Sequence, residues 1–255
     1  MNRLLVLLLL VLCVTGCATS PTGRSQLMMV GDDQMAASGQ EMFAQMKQKE
    51  KVINDPVVST EVHCVVNNLL AVLPPEWQSG WEVQVFDDKS PNAFALPGRK
   101  IGVNSGMMKL VENDAQLATV IGHEIGHVIA HHANERASMG LLSQIGQEVA
   151  GQINPAGAAV FGLGAQFGVM LPYSRTHEAE ADIIGQNLMA RAGFDPRDSI
   201  RLWKLMEQKG GDKPPELLST HPAGASRISE LSAHLKVSMP MYQHAQANGK
   251  HPHCN

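Results

Sequence analysis

The chain has 255 residues, of which 44% are apolar, 17% charged and 4% aromatic, with a formal net charge of -4. Such an apolar share builds a core and excludes a disordered chain, and the mild acidity argues against a nucleic-acid partner, which needs a Lys/Arg surplus on one face. No apolar run reaches the roughly 18–20 residues that cross a bilayer as a helix, so a polytopic membrane protein is excluded too.

Residues 1–16 read as a secretory signal peptide: Arg3 supplies the positive start, and residues 4–14 form an uncharged stretch too short to span a membrane. Val14-Thr15-Gly16-Cys17 then resembles a bacterial lipobox, in which small residues precede a cysteine that is acylated and becomes the new amino terminus. The other reading is an ordinary signal peptide with Cys17 as a bystander. Ala18 follows Cys17 where an inner-membrane lipoprotein would carry aspartate, so the predicted place is the periplasmic face of the outer membrane, held by lipid. Residues 17–31, rich in Pro, Gly, Ser and Thr, are predicted to be a lipidated tether. Cleavage before Cys17 leaves Cys64 and Cys254 as the remaining thiols, and in an envelope compartment one disulfide between them is the simplest arithmetic, with two unpaired cysteines as the alternative.

One folded domain is predicted over residues 32–238. Helical patterning begins near residue 32, and Asp55-Pro56 caps a second helix carrying Val58, Val62, Val65, Val66, Leu69 and Val72 until Pro74-Pro75 stops it. The period changes to two over residues 81–86, and residues 92–96 and 100–104 make two further extended pieces around Pro97-Gly98, giving a small sheet. A helix is predicted from Asn113 or Asp114 to about Arg136. Residues 156–171 are almost all apolar or small and read as a Gly-rich helix pair against the core rather than a membrane element. Further helices follow over about 176–192, after the cap Asp195-Pro196, and over about 222–235; residues 239–255 read as a flexible tail. The class is α+β, mostly helical.

Within the helix predicted from residue 113 lies His123-Glu124-Ile125-Gly126-His127. Residues four apart sit one turn, about 6 Å, apart on the same face, so both imidazoles reach one ion while Glu124 projects beside them toward a bound water. Neutral imidazoles with one open position suit Zn2+, one per chain. A metzincin-type third histidine is excluded, because Ala133 and Ala130 stand where that motif needs His and Gly. His131 and His132 lie too far along a straight helix to share the ion and read as surface or supporting residues. Downstream, Glu178 and Asp182 share a helix face; the carboxylate nearer the metal can ligate and the other can accept the Nδ1 hydrogen bond of a ligand histidine. Glu180 points about 200° away and reads as solvated or paired.

These motifs, together with Ser174-Arg175-x-x-Glu178-x-x-Ala181-Asp182 and Asn92-Ala93-Phe94-Ala95-Leu96-Pro97-Gly98, resemble the gluzincin zinc metallopeptidases that include the CAAX prenyl endopeptidases, HtpX and the Oma-type proteases. The likeness covers about residues 20–235 and is nearest the bacterial periplasmic lipoprotein members (BepA- and LoiP-like). It implies a zincin-like fold with a small sheet beside the active helix. It implies His123, His127 and Glu178 as zinc ligands, Glu124 as catalytic base, and Asn92, Ala93, Phe94 and Ala95 as a substrate-binding strand. It also implies His221 as a fourth ligand that caps the zinc or acts in catalysis, and Arg227 as a cleft residue.

The expected function is a zinc-dependent endopeptidase in the bacterial envelope, cleaving unfolded or misassembled envelope proteins in protein quality control, with the outer-membrane assembly machinery as a partner. The alternative is an assembly or chaperone lipoprotein with a structural zinc. The two part at Glu124, which a structural site does not need.

Overall fold

The computed structural model describes residues 17–53, 55–149, 174–210, 217, 219, 221 and 225–254. The predicted signal peptide and the apolar segment 156–171 lie outside the described residues. Eight helices and five strands are found among those described. In chain order they are β1 (Cys17–Thr19), β2 (Ser25–Leu27), α1 (Asp32–Lys49), α2 (Pro56–Leu70), β3 (Glu82–Phe86), β4 (Ala93–Leu96), β5 (Lys100–Asn104), α3 (Ser105–Leu110), α4 (Asp114–Ile129), α5 (His132–Val149), α6 (Arg175–Ala192), α7 (Arg197–Gly210) and α8 (Ala225–Ala247). No described helix is long and apolar enough to cross a membrane.

The helix starts follow local chemistry. Asp55 accepts from Val57 N and Pro56 takes the first turn of α2; Asn113 accepts from Gln116 N at the head of α4; Ser174 accepts from His177 N at the head of α6. Each cap satisfies an amide that the first turn leaves without an intrahelical partner.

The sheet has the order β3-β5-β4, with β3 parallel and β4 antiparallel to β5. Its two faces are packed differently. Phe94 and Leu96 join Phe43 of α1 and Phe86 in one apolar cluster, whereas Ala93, Ala95, Ile101 and Val103 join the main core with α4. Beneath the sheet α4 is buried on every side from Gln116 to His127. Leu117, Ile121 and Ile125 are fully buried, each contributing about 1.5–3 kcal/mol. A helix with no wet face can therefore carry its polar residues only into an internal site.

α4 and α6 lie backbone to backbone. A Cβ on Gly126 would stand 2.9 Å from Ala181 O, and one on Gly185 would stand 2.7 Å from His123 N. These glycines let the two helices approach closely and fix their register.

Three expectations are corrected. The helix from residue 113 does not run to Arg136. It ends at Ile129, His131 takes a left-handed φ of 51°, and a new helix starts at His132. Contacts from elsewhere hold the break: His131 Nδ1 lies 3.0 Å from Asp32 Oδ1 and its ring packs edge-on to Trp77. The tether is not irregular, because β1 and β2 pair as an antiparallel hairpin, Cys17 opposite Leu27, docked on α5 and α6. The tail is not loose: α8 runs through Pro240 to Ala247, Cys254 N donates to Asp114 Oδ2, and Cys254 is bridged to Cys64 across 190 residues with a Cα separation of 5.5 Å.

Candidate metal centre

The register of α4 against α6 brings four ligand-type side chains together. His123 and His127 from α4, Glu178 from the first turn of α6, and His221 each offer one atom, and these atoms all lie within 4.8 Å of one another. His123 Nε2 lies 3.0 Å from His127 Nε2 and 3.2 Å from His221 Nδ1. Glu178 Oε1 lies 3.0 Å from His221 Nδ1 and 3.5 Å from His127 Nε2, and its Oε2 lies 3.4 Å from His123 Nε2. All four residues are buried, His221 at 3% exposure.

Proton counting tests whether a cation fits. His123 Nδ1 lies 2.9 Å from Asp182 Oδ1. An ionised carboxylate only accepts, so His123 donates from Nδ1 and turns a lone pair on Nε2 toward the cluster. There that lone pair faces the oxygens of Glu178 and the nitrogens of two more imidazoles. Beside them Glu124 Oε1 is buried with no hydrogen-bond partner, while its Oε2 accepts from Ala95 N at 2.9 Å. Lone pairs converging with too few protons, from nitrogen and oxygen donors only, match what Zn2+ takes.

Asp182 is itself held. Arg227 Nε and Nη2 donate to its two oxygens at 2.7 Å each, Arg227 Nη1 reaches Glu178 Oε2 at 2.9 Å, and the guanidinium lies 3.7 Å over the Trp203 ring. Arg227 is 5% exposed, so its expected place in the substrate cleft is corrected: its donors are spent behind the ligands, orienting Asp182 and Glu178. Behind His127 stands another group. His132 Nδ1 lies 2.9 Å from His127 Nδ1, and His132 Nε2 lies 3.1 Å from Glu180 Oε2. Glu180, expected to be solvated or paired, is buried and paired, and His132 is buried as well.

The charges are tuned accordingly. Burial would raise Glu178, yet hydrogen bonds with His123 and His221 hold it well below the usual carboxylate range. Burial would likewise raise Asp182, but the Arg227 guanidinium keeps it low. Burial lowers His123, yet bonds to Asp182 and Glu178 outweigh it and raise its pKa to about 9, so a cation held by Nε2 would take the place of the proton that these carboxylates otherwise draw there. His127 is driven well down by burial and by the imidazoles around it, which favours the neutral form that ligates. Burial raises the Glu124 carboxyl, making it a stronger base.

Of the strand residues, Asn92 O accepts from Asn104 N at 2.9 Å. This register turns the backbone N–H groups of Ala93 and Ala95 away from β5, along the edge of the sheet that borders Glu124. Phe94 is the exception as a site side chain: its ring packs on Phe86 and Phe43, on the face away from α4. A cleft of about 300 Å³ opens beside this edge, with Ala95, Arg99, Trp77, His127 and His131 among its walls. Cys17 opens β1, paired opposite Leu27. Reading the sequence missed Trp203, and it left His132 as surface or supporting and Glu180 as solvated or paired without joining the two behind His127. The one available signal was a histidine five residues after His127 together with a carboxylate two after Glu178, and a straight helix places neither in contact.

Comparison with known proteins agrees with this geometry. The model of peptidase family M48 matches residues 56–235. The chain is 35% identical over 230 residues to the mitochondrial metalloendopeptidase OMA1 of Arabidopsis thaliana, covering 86% of this chain and 45% of that one. It is 36% identical over 176 residues to OMA1 of Saccharomyces cerevisiae, covering 66% and 51%. It is 30% identical over 211 residues to the beta-barrel assembly-enhancing protease of Yersinia pestis, covering 78% and 43%. The chain thus spans about half the length of the curated relatives it matches.

Proposed function

The chain belongs to peptidase family M48, and from that premise we propose that it is a zinc-dependent endopeptidase with His123, His127 and Glu178 as ligands and Glu124 as general base. The observation that supports this most directly is the orphaned, buried oxygen of Glu124 beside a four-donor cluster and the edge of a sheet. Bound zinc would supply Lewis acidity, polarising a carbonyl and acidifying water. The protein supplies the rest. Glu124, made more basic by burial, takes the proton of the attacking water and passes it to the departing amine. The edge of β4 offers backbone groups to an extended chain, a mode that reads main chain more than side chain and suits unfolded substrates. Asp182 and Arg227 hold His123 and Glu178 still.

We assign His221 as a cap. Its ring lies between Glu178 and Glu124, with Nε2 3.5 Å from Glu124 Oε1, so it must move before a substrate carbonyl can reach the base. A four-donor set also suits a structural zinc in an assembly lipoprotein, and the roles separate the two readings. Glu124→Gln should keep a full equivalent of zinc and lose casein cleavage by about three orders of magnitude or more. Unchanged cleavage in a zinc-loaded Glu124→Gln enzyme would remove Glu124 from the chemistry.

A place of action is proposed from the sequence. Val14-Thr15-Gly16-Cys17 supports acylation of Cys17 and residence at the periplasmic face of the outer membrane. Relatives named beta-barrel assembly-enhancing proteases support misassembled envelope proteins as substrates and the outer-membrane assembly machinery as a partner. Cys17→Ser should abolish palmitate labelling and release the protein from the membrane fraction.

A further inference from the structure

We propose that the amino-terminal hairpin is a working part of the metal site, in which Arg24 acts as a positioning residue that fixes His127 for zinc through Glu180 and His132. The proposal rests on the reading of His127 as a ligand.

The two ligand histidines are supported differently. His123 Nδ1 meets a carboxylate directly, that of Asp182, which Arg227 clamps. His127 Nδ1 meets the imidazole of His132 at 2.9 Å, and the carboxylate comes one step later, Glu180 Oε2 at 3.1 Å from His132 Nε2. A carboxylate oxygen accepts, so His132 donates from Nε2. A neutral imidazole has one N–H, so His132 Nδ1 then carries a lone pair and accepts the Nδ1 proton of His127. His127 is left with its Nε2 lone pair toward the cluster. The relay thus selects the tautomer of a ligand that Arg24 itself does not touch.

The relay depends on Glu180 staying in place beside His132, and the hairpin holds it there. Arg24 Nε and Nη2 donate to Glu180 Oε2 at 3.1 and 3.0 Å, and the Thr22 hydroxyl donates to Oε1. The far side of the same guanidinium grips Glu135 of α5 at 2.7 and 2.6 Å. Gln26 Nε2 adds bonds to Glu135 Oε2 at 3.0 Å and to Ala130 O at 2.6 Å, beside the break that swings His132 inward. Glu180 is 5% exposed, and a buried carboxylate stripped of its partner is strongly destabilised. The hairpin is not a piece of the core: among the described residues, no residue of 17–31 belongs to either apolar cluster. What joins it to the domain is a set of polar groups, and most of them converge on the support of His127.

The test uses the full chain and reads zinc release to a chromogenic chelator, with kcat and KM on casein peptides alongside. Arg24→Gln and Glu180→Gln should each speed zinc release about 10–100-fold, the effect expected when the partner of a ligand histidine is lost, and lower kcat with little change in KM. Arg24→Lys, which keeps the charge without the fork, should fall between. Combining Arg24→Gln with Glu180→Gln should release zinc no faster than Glu180→Gln alone. Ser138→Ala removes the hydroxyl that accepts from Met29 and Val30 N; it loosens the docking of the segment after the hairpin without touching the relay, and should leave zinc release within about twofold of wild type. If Arg24→Gln does not fold, Thr22→Val removes one bond to Glu180 and should still speed release. Wild-type release from folded Glu180→Gln, additive losses in the double variant, or a Ser138→Ala effect as large as that of Arg24→Gln would each overturn the proposal. His127→Ala keeps the two questions apart: if it loses zinc while Glu180→Gln does not, the relay is wrong and the ligand reading stands; if it keeps zinc, the ligand reading itself fails.

Discussion

The two walls of the site are built on opposite principles. The metal wall, α4 against α6, consists of two buried helices in backbone contact at Gly126 and Gly185, and its polar side chains are bonded to one another. The cleft wall is a strand edge, the turn at Pro97-Gly98-Arg99 and the left-handed corner at His131, partly open to solvent. Ligand geometry tolerates errors of a few tenths of an ångström, so it is placed where nothing can shift. Substrate has to enter and leave, so it is given the side where the backbone is turned outward and the elements are short.

That contrast predicts unequal responses to damage. The largest belongs to a proposed ligand: Glu178→Ala should abolish stoichiometric zinc and, with it, peptidase activity, as read by metal analysis of the purified protein. Full zinc affinity in that variant would take Glu178 out of the metal site. The next tests the helix contact itself. In Gly185→Ala the new Cβ would stand 2.7 Å from His123 N and 2.8 Å from Gly122 C, and neither is a flexible side-chain end. The helices must move apart, at a cost of about 1–3 kcal/mol in stability, with weaker zinc binding as the accompanying sign. A Gly185→Ala protein that melts at the wild-type temperature with unchanged zinc affinity would show that the contact does not set the register.

Acid should reach the metal wall first. His177, at the head of α6, donates to Glu135 from Nε2 at 3.1 Å; burial, reinforced by the neighbouring His132, lowers its pKa to about 4. A histidine lowered in the folded state is kept neutral there, so its contribution is complete above the ordinary value near 6.5 and is lost as pH falls from there toward 4. After allowance for solvent screening this amounts to about 1–2 kcal/mol. Burial works to raise Glu135 and Glu180, but bonds from Arg24 and Gln26 to the first, and from His132, Thr22 and Arg24 to the second, keep both low. Their share is lost only below the usual carboxylate range. Thermal melting of His177→Gln, which keeps a donor but does not titrate, should be flatter than wild type between about pH 6.5 and 4. Parallel curves would show that His177 takes no part.

How much of this was legible in the sequence depended on whether the cause was local. The caps at Asp55 and Asn113 and the period-two run at Val83 and Val85 act within a few residues, and the helices and strand they predict are present. His123, Glu124 and His127 were legible because one helix fixes their spacing. The break at His131 was not, because Ala130-His131-His132 contains no glycine or proline and the corner is held by Asp32 and Trp77 from distant segments. The hairpin at Cys17–Leu27 hid for the same reason: its composition is that of a loop, and its anchor, Arg24, finds both carboxylate partners, Glu135 and Glu180, in helices far along the chain. Arg227 was found by likeness, but its direction was misjudged, since only the fold shows that its guanidinium turns to Asp182. The course of α8 beyond Leu235 overrode the usual effect of Pro240, and the bridge from Cys64 to Cys254 pins the short segment after the helix.

The smallest expected effect lies between the two walls, at His221, and its sign carries more than its size. The ring touches the metal wall through Glu178 at 3.0 Å and faces the cleft wall through Glu124 at 3.5 Å. A three-ligand site with a free base would act on any extended chain that reached it, and under the proposed cap a ring placed between base and ligands would prevent this without moving α4 or α6. Removing it in His221→Ala should raise casein cleavage or self-cleavage a few-fold while zinc content stays at one equivalent, because His123, His127 and Glu178 remain. A residue that instead donates to the developing oxyanion would give the opposite sign, a fall in kcat of about two orders of magnitude. The kinetics also locate the motion. If the cap must leave before substrate binds, the gain in His221→Ala appears in kcat/KM at low substrate and shrinks at saturation, since opening then limits the productive encounter rather than the chemistry. A strongly reduced turnover with normal zinc would reassign His221 from the resting state to the reaction itself, and would place the cleft wall's moving part elsewhere.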